Sequence, residues 1–455
     1  LNLSSGAKSL EAVLCRCAIF GVYPFPDVFS PRVFFLLLLV AFGFATRAAQ
    51  PSEAVHEFPG GPSLGAQTVG GRGGKIIRVT TLAAEGAGSF AEAVRAKGPR
   101  IIVFEVGGVI DLAGKALKVS EPFVTIAGQT APSPGITFIR GGLAIFAHDA
   151  IIQHLRVRPG EAGRKKKSGW EIDGIGLIGA SNVIVDHCSN TWATDENLSA
   201  SGPRFEGATV EEWRKGTAHQ VTISNCLIAE ALSKSTHGKG EHSKGSLLHD
   251  NTTGIAVVGN LYASNVERNP LAKGGVQAVI VNNWISNPGG KAMHHNLDEG
   301  EWKGHAPVTS RLAIVGNIFE HGPDTPPKLP LFFNHRKSPV ELFMDDNLAL
   351  DRDRQPVPLS GGEAIVVEEK PPVWPGGWKP MAAEKVREHV AKDVGARPWE
   401  RDEIDTRIVR AALEGTGKII DSEQEVGGYP RPAATSAPFN PKEWNLETME
   451  RLQPR

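Results

Sequence analysis

The side chains able to do chemistry fall in four short stretches. The first is Glu171-Ile172-Asp173-Gly174. The second runs from Asp186-His187 to Asp195-Glu196-Asn197. The third is residues 266–275 (VERNPLAKGG), with Arg268 and Lys273. The fourth, residues 233–244 (SKSTHGKGEHSK), is basic and His-bearing, with Lys234, His237, Lys239 and His242. By type alone, Arg268 and the lysines could stabilise negative charge on an anionic substrate as it reacts. Arg268 could equally be a surface salt-bridge partner. Asp173 and Asp195 could be turn residues that bond their own backbone. His237 and His242 could contact a substrate or only each other's loop. The run at 164–167 (RKKK) is a solvated turn, or an entry point for a polyanion.

Such groups need elements to bring them together, and a recurring phrase supplies them. It reads apolar-x-apolar-x, a polar residue, then apolar again, and occurs at 151–157 (IIQHLRV), 183–188 (VIVDHC), 221–228 (VTISNCLI), 256–262 (AVVGNLY), 278–285 (AVIVNNWI), 312–319 (LAIVGNIF) and 342–350 (LFMDDNLAL). Aligning the polar position places His154, His187, Asn225, Asn260, Asn283, Asn317 and Asn347 in one column. One short strand per coil, variable loops and no helical segment between strands predict a solenoid of stacked coils, a right-handed single-stranded parallel β-helix. Each coil cannot bury its apolar face alone, but stacked coils can. The Asn column has a structural reading, since an amide both donates and accepts and can bond to its copy on the next coil. His187 reads as another member of that ladder. On this stacking the chemistry-bearing stretches are loops of neighbouring coils and converge on one face. Cys188 and Cys226 fall at one place in adjacent coils; side-by-side buried thiols are expected, because stacked positions rarely reach disulfide geometry, with a disulfide in an oxidising compartment as the alternative.

The 455 residues carry 49 Lys+Arg against 50 Asp+Glu, which argues against a nucleic-acid binder acting through bulk positive charge. With 51 Gly and 32 Pro the chain is rich in turns, and a helical bundle is excluded. Residues 33–45 (VFFLLLLVAFGFA) are apolar, follow Arg32 and are too short to span a bilayer comfortably. A secretory signal cleaved after Ala48 is expected, with a membrane anchor as the alternative. Three segments result: a signal and possible upstream sequence at 1–48, the β-helix at 49–350 and a C-terminal segment at 351–455. Ser89 opens a short helix that caps the N-terminal end of the solenoid. The coil phrase stops after Leu350, two helical stretches pack on the solenoid, and the tail from Arg431 is loose.

A DG element, an apolar-x-apolar-Asp-His strand, a downstream Asp and an Arg-x-Pro-x-x-Lys-x-Gly element, in this order on a β-helix, resemble the pectate lyase family over roughly residues 65–350. The stretch from Arg401-Asp402 to Gly428 also looks like the tail of bacterial members. The resemblance implies a secreted, monomeric lyase that cleaves 4-linked galacturonan by calcium-assisted β-elimination, with polygalacturonate as its partner, neither nucleic acid nor membrane. It implies that Arg268 is the catalytic base, although an arginine pKa above 12 makes that role demanding. It further implies that Lys273 and Lys234 bind substrate, with Lys239 competing with Lys234 and His242 beside them, and that Asp173 and Asp195 hold Ca2+. Two departures thin the metal site. Ile175 and Ser199 stand where the family has Asp, and Glu196 or Asn197 could substitute.

Three other readings remain open. A related lyase could act on methyl-esterified pectin without metal. A β-helical glycoside hydrolase would need paired carboxylates, and Asp345-Asp346 lies away from the other candidates. A solenoid that only binds polysaccharide would have no use for the Arg-x-Pro-x-x-Lys element.

Overall fold

The computed structural model describes residues 67–335, 338–363 and 365–452. The apolar run at 33–45, Cys15 and Cys17 lie outside them. Among the described residues no helix is long and apolar enough to cross a membrane.

Among the described residues the chain winds as a right-handed parallel β-helix of three sheets, with 11, 10 and 9 strands, the second sheet including one antiparallel strand from the C-terminal tail. Each coil gives one strand to each sheet in turn. Ser181–Asp186 lies in the first sheet, Ser189–Thr191 in the second and Glu196–Ser201 in the third. All inter-coil pairings are parallel and in register, so like residues stack. Val183 pairs with Val221, Val221 with Ile255, Ile255 with Ala278 and Ala278 with Leu312. All five are buried. β-Branched side chains dominate this column because they fit a pleated surface covered on one face. Each fully buried aliphatic side chain contributes about 1.5–3 kcal/mol.

The coil phrase therefore spans two strands and a bend. The third sheet, which the sequence presents as loops, is a set of short strands such as Leu271–Lys273 and Met293–Asn296. The coils also extend beyond Leu350, through Ser360–Gly362 in the third sheet and Ile365–Val367 in the first.

The Asn column forms, but its register differs from the sequence alignment by one residue. Asn260, Asn283, Asn317 and Asn347 stack, and each side-chain amide donates to the next carbonyl oxygen at 2.9, 3.0 and 3.0 Å. The member before Asn260 is Cys226, whose backbone N–H donates to Asn260 Oδ1. Below it stands Cys188, whose N–H meets Cys226 Sγ at 3.4 Å; both thiols are buried and unbonded to each other. His154, His187 and Asn225 occupy the neighbouring column, where the two imidazoles stack with centroids 4.9 Å apart. His187 also meets Asp186 at 2.8 Å and Asp393 at 3.4 Å.

Helix Phe90–Arg95 buries Phe90, Ala91, Ala93 and Val94 against the first coils. Its Ser89 cap accepts from Glu92 N–H, while Glu92 reaches back one residue further than a capping box requires, to Gly88 N–H. At the other end, helices Ala383–Asp393 and Glu403–Glu414 lie along the outside of the second sheet, over Leu227, Leu261, Trp284 and Ile318. Fully buried Arg158 pairs there with Asp402 at 2.6 Å and Asp405 at 2.7 Å. The tail is docked, not loose. Thr435–Ser436 pairs antiparallel with Val106 and Gly107 at an open sheet edge, and Phe439 and Trp444 cover Ile101 and Val103. An edge strand and an apolar patch give the segment surface to bury despite its Pro-rich composition.

Candidate functional site

The turn from the second sheet to the third positions most of the candidate groups. Asp173 precedes strand Ile175–Ile178, and Asp195 precedes strand Glu196–Ser201. The basic loop precedes Lys244–Leu248, and Arg268 precedes Leu271–Lys273. Because the coils stack in register, residues far apart in sequence meet at this single rim.

One carboxylate oxygen from each of Asp173, Asp195 and Glu196 lies within 4.8 Å of the others. Asp173 accepts from Ser199 Oγ at 2.5 Å and from Glu196 N–H at 3.2 Å. Burial, then the neighbouring Asp195 charge, pushes its carboxyl up to about 7, against the opposing pull of Ser199 and Arg268. Burial also raises the Asp195 carboxyl, but His242, His237 and Arg268 outweigh it and hold it below the ordinary range. His242 Nε2 meets Asp195 Oδ1 at 2.7 Å, and His237 stacks on His242 with centroids 3.7 Å apart.

Three crowded carboxylates need positive charge, and all-oxygen donors suit a hard cation such as Ca2+. Glu196 supplies a carboxylate near the positions where Ile175 and Ser199 leave none. Asn197 does not: its side chain is fully buried and occupied by Ala193 N–H, Ala229 O and Asn265. Ser199 instead steadies Asp173.

Arg268 faces this cluster and ion-pairs with Glu196. Its backbone is left-handed, with φ 64°, and its carbonyl is fixed by Ser246 N–H. That conformation costs a non-glycine residue roughly 1 kcal/mol and persists where the surroundings over-determine it. Burial lowers the guanidinium pKa, and Asp195, Asp173 and Glu301 oppose the shift. Its Nε is buried without a hydrogen-bond partner.

The predicted lysines divide. Lys239 is exposed on the loop beside His237, and its N–H donates to His237 Nδ1. Lys234 is exposed at the root of that loop, where its backbone N–H is tied to Asp421 of the C-terminal segment. Lys273 is the last residue of its third-sheet strand and pairs with Glu301, with Asp250 at 3.6 Å.

Sequence inspection did not single out the charges next to Arg268. Glu267 holds Lys244 and Lys291, both at 2.5 Å. Burial raises the Glu267 carboxyl, but Lys244, His294 and Lys291 overcome this and bring it to about 2. Its adjacency to Arg268 was the available signal. The paired acids at 345–346 belong elsewhere. Asp345 ends a first-sheet strand, and Asp346 Oδ2 accepts from Ala383 N–H at the start of a C-terminal helix.

Known proteins fit this architecture. A probable pectate lyase C of Aspergillus flavus is 32% identical over 391 residues, covering 83% of this chain and 82% of the relative. The corresponding protein of Emericella nidulans is 33% identical over 389 residues, covering 83% and 81%. The crystal structure of Jun a 1, the major allergen from cedar pollen, shares the fold with a TM-score of 0.52 at 15% identity, over 73% of this chain and 92% of that one. No protein-family model matches. With relatives this similar along most of both chains, and with the coil and rim described above, the chain belongs to the pectate lyase family.

Proposed function

We propose that the protein is an exported lyase that cleaves 4-linked galacturonan by β-elimination, with Arg268 as the base and Ca2+ held by Asp173, Asp195 and Glu196. The observation that carries this reading is the convergence of Arg268 with three carboxylates on one rim. β-Elimination removes the proton beside the C6 carboxylate and expels O4. That proton is weakly acidic because the carboxylate is already negative. Calcium bound to the three acids would offset the charge that builds as the proton leaves.

The chain's own groups do the rest. Arg268 is buried enough to favour its neutral form relative to a solvated guanidinium, and it lies within reach of the same cluster. Glu196 keeps it oriented until substrate arrives. His242 fixes Asp195 through one carboxylate oxygen and leaves the other for the cation. Lys273 takes a substrate carboxylate at the C-terminal end of its strand. Lys239 is the better placed of the two loop lysines, because Lys234 sits where the loop is anchored to Asp421. The carboxylate pair a glycosidase needs is not offered by Asp345 and Asp346, given the capping contact of Asp346.

Export rests on residues 33–45 and predicts a mature chain starting near Ala49, acting as a monomer outside the cytoplasm. N-terminal sequencing of secreted protein tests it, and retention of the apolar run would favour an anchor. The activity is tested by ultraviolet absorbance of unsaturated uronides formed from polygalacturonate with and without chelator. Product that disappears with chelator supports the proposal. Product that persists makes the enzyme a metal-free lyase, and none at all removes the lyase reading.

A further inference from the structure

At the C-terminal ends of the third-sheet strands lies a second charged cluster, distinct from the carboxylate rim. Lys273 ends its strand, Arg204 follows strand Glu196–Ser201, and Asp250 follows strand Lys244–Leu248. Glu301 reaches in from the short helical turn Glu299–Trp302. Asp250 is fully buried and bonded on every side, by Arg204 Nε at 2.8 Å, Trp302 Nε1 at 2.9 Å and Gly274 N–H at 3.0 Å. Glu301 differs. It pairs with Arg204 Nη2 at 2.7 Å and with Lys273, yet its side chain is 42% exposed.

The charges count in a simple way. Two cations, Arg204 and Lys273, face two carboxylates, Asp250 and Glu301. The nearby His249 is neutral at pH 7, because burial brings it to about 4. Asp250 cannot leave. If Glu301 swings out on its exposed turn, the cluster carries one net positive charge and two cationic side chains without their outer carboxylate. That is a vacancy for one carboxylate. Trp302 walls it, packed so close to Gly274 that a Cβ there would meet its ring at 2.7 Å. Lys273 ends the strand that Arg268 precedes, which puts the cluster on the same coil as the proposed base.

We propose that Glu301 is an internal stand-in for a uronate carboxylate: Arg204 and Lys273 form a carboxylate subsite that Glu301 fills at rest and an acidic sugar residue fills in the complex. This rests on the galacturonan reading above and adds Arg204 and Glu301 to it. Competition by a tethered carboxylate weakens apparent substrate affinity in proportion to the time the subsite is filled. It also favours substrates whose charge is strong enough to displace it.

The test is calorimetric binding of trigalacturonate and of its methyl ester, in an Arg268→Lys background and in chelator so that turnover is suppressed during the titration. Adding Glu301→Gln should tighten trigalacturonate binding by about three- to tenfold, as expected when a self-occupied state is released, and leave the ester unchanged. Adding Arg204→Gln as well should remove the gain. Equal affinity with and without Glu301→Gln overturns the proposal, and so does an equal gain for acid and ester. If Glu301→Gln lowers the melting temperature, Glu301→Asp provides the second reading. Its shorter reach should release part of the subsite and give a smaller gain for the acid alone, and no gain overturns the proposal. Wild-type protein that forms no unsaturated product while these affinities still differ separates failure of the lyase reading from failure of the subsite.

Discussion

Arg268 and Glu196 form an ion pair across two coils, so the proposed base is held by one of the proposed metal ligands. Arg268→Lys keeps the positive charge but loses the planar fork. Activity on polygalacturonate should fall by about 10² or more, the scale for one group acting mainly in the transition state. kcat and kcat/KM should fall together while trigalacturonate binding survives. Most of the activity remaining, with an unchanged melting temperature, removes Arg268 from the role.

Glu196→Gln should raise the calcium concentration needed for half-maximal activity, and so should Asp173→Ala and Asp195→Ala, because affinity for calcium follows ligand charge. Calcium titration of the initial rate checks all three. An unchanged requirement in every variant would place the metal elsewhere.

Asp173 also sets a pH dependence. Its folded carboxyl lies at about 7, above the value near 3.9 of an unfolded aspartate. The folded state therefore binds a proton that the unfolded state has released, and the stability this gives is lost as pH rises through about 7. In chelator, the melting temperature of wild type should fall between about pH 4 and 7 by more than that of Asp173→Asn, which cannot ionise. Calcium should reverse the fall at the upper end. Parallel curves for the two proteins would contradict the burial of an ionised Asp173.

The Asn ladder predicts a graded cost. Asn283 accepts from Asn260 N–H and Nδ2 and donates to Val257 O and to Asn317. Asn283→Ala strands several buried partners, each worth about 1–3 kcal/mol when left unpaired. Denaturant unfolding should register a loss of more than about 2 kcal/mol. Asn347→Ala, at the last step of the ladder, should cost less, since Asn347 accepts from Asn317 and donates to Ile314 O but to no further Asn.

Reading the coils from the sequence worked where strands alternate cleanly, as in VTISNCLI and AVIVNNWI. It failed for the third sheet because strands such as LAK and MHHN are only three or four residues long and show no clean alternation. The register slip has a local cause. Asn225 precedes Cys226, and the cysteine holds the ladder position that Asn takes in later coils. Asp173, Asp195 and Arg268 were visible as motif residues. The pairing of Arg268 with Glu196 and of Lys273 with Glu301 was not, because each arises from stacking or from a loop folding back. The tail was misjudged on composition, since its Pro-rich run hides Phe439 and Trp444, which have an apolar patch to cover.

The returning tail changes how the array can come apart. A linear stack of coils opens from its ends, each coil released once its neighbour has gone. Here residues 435–444 clasp the earliest coils, after helices that bridge Leu227 to Ile318 along the flank. Fraying at the front must first detach the last part of the chain, and fraying at the back must peel the helices from the middle coils. The molecule is thus hooped like a barrel, and its resistance to opening resides as much in the clasp as in the staves.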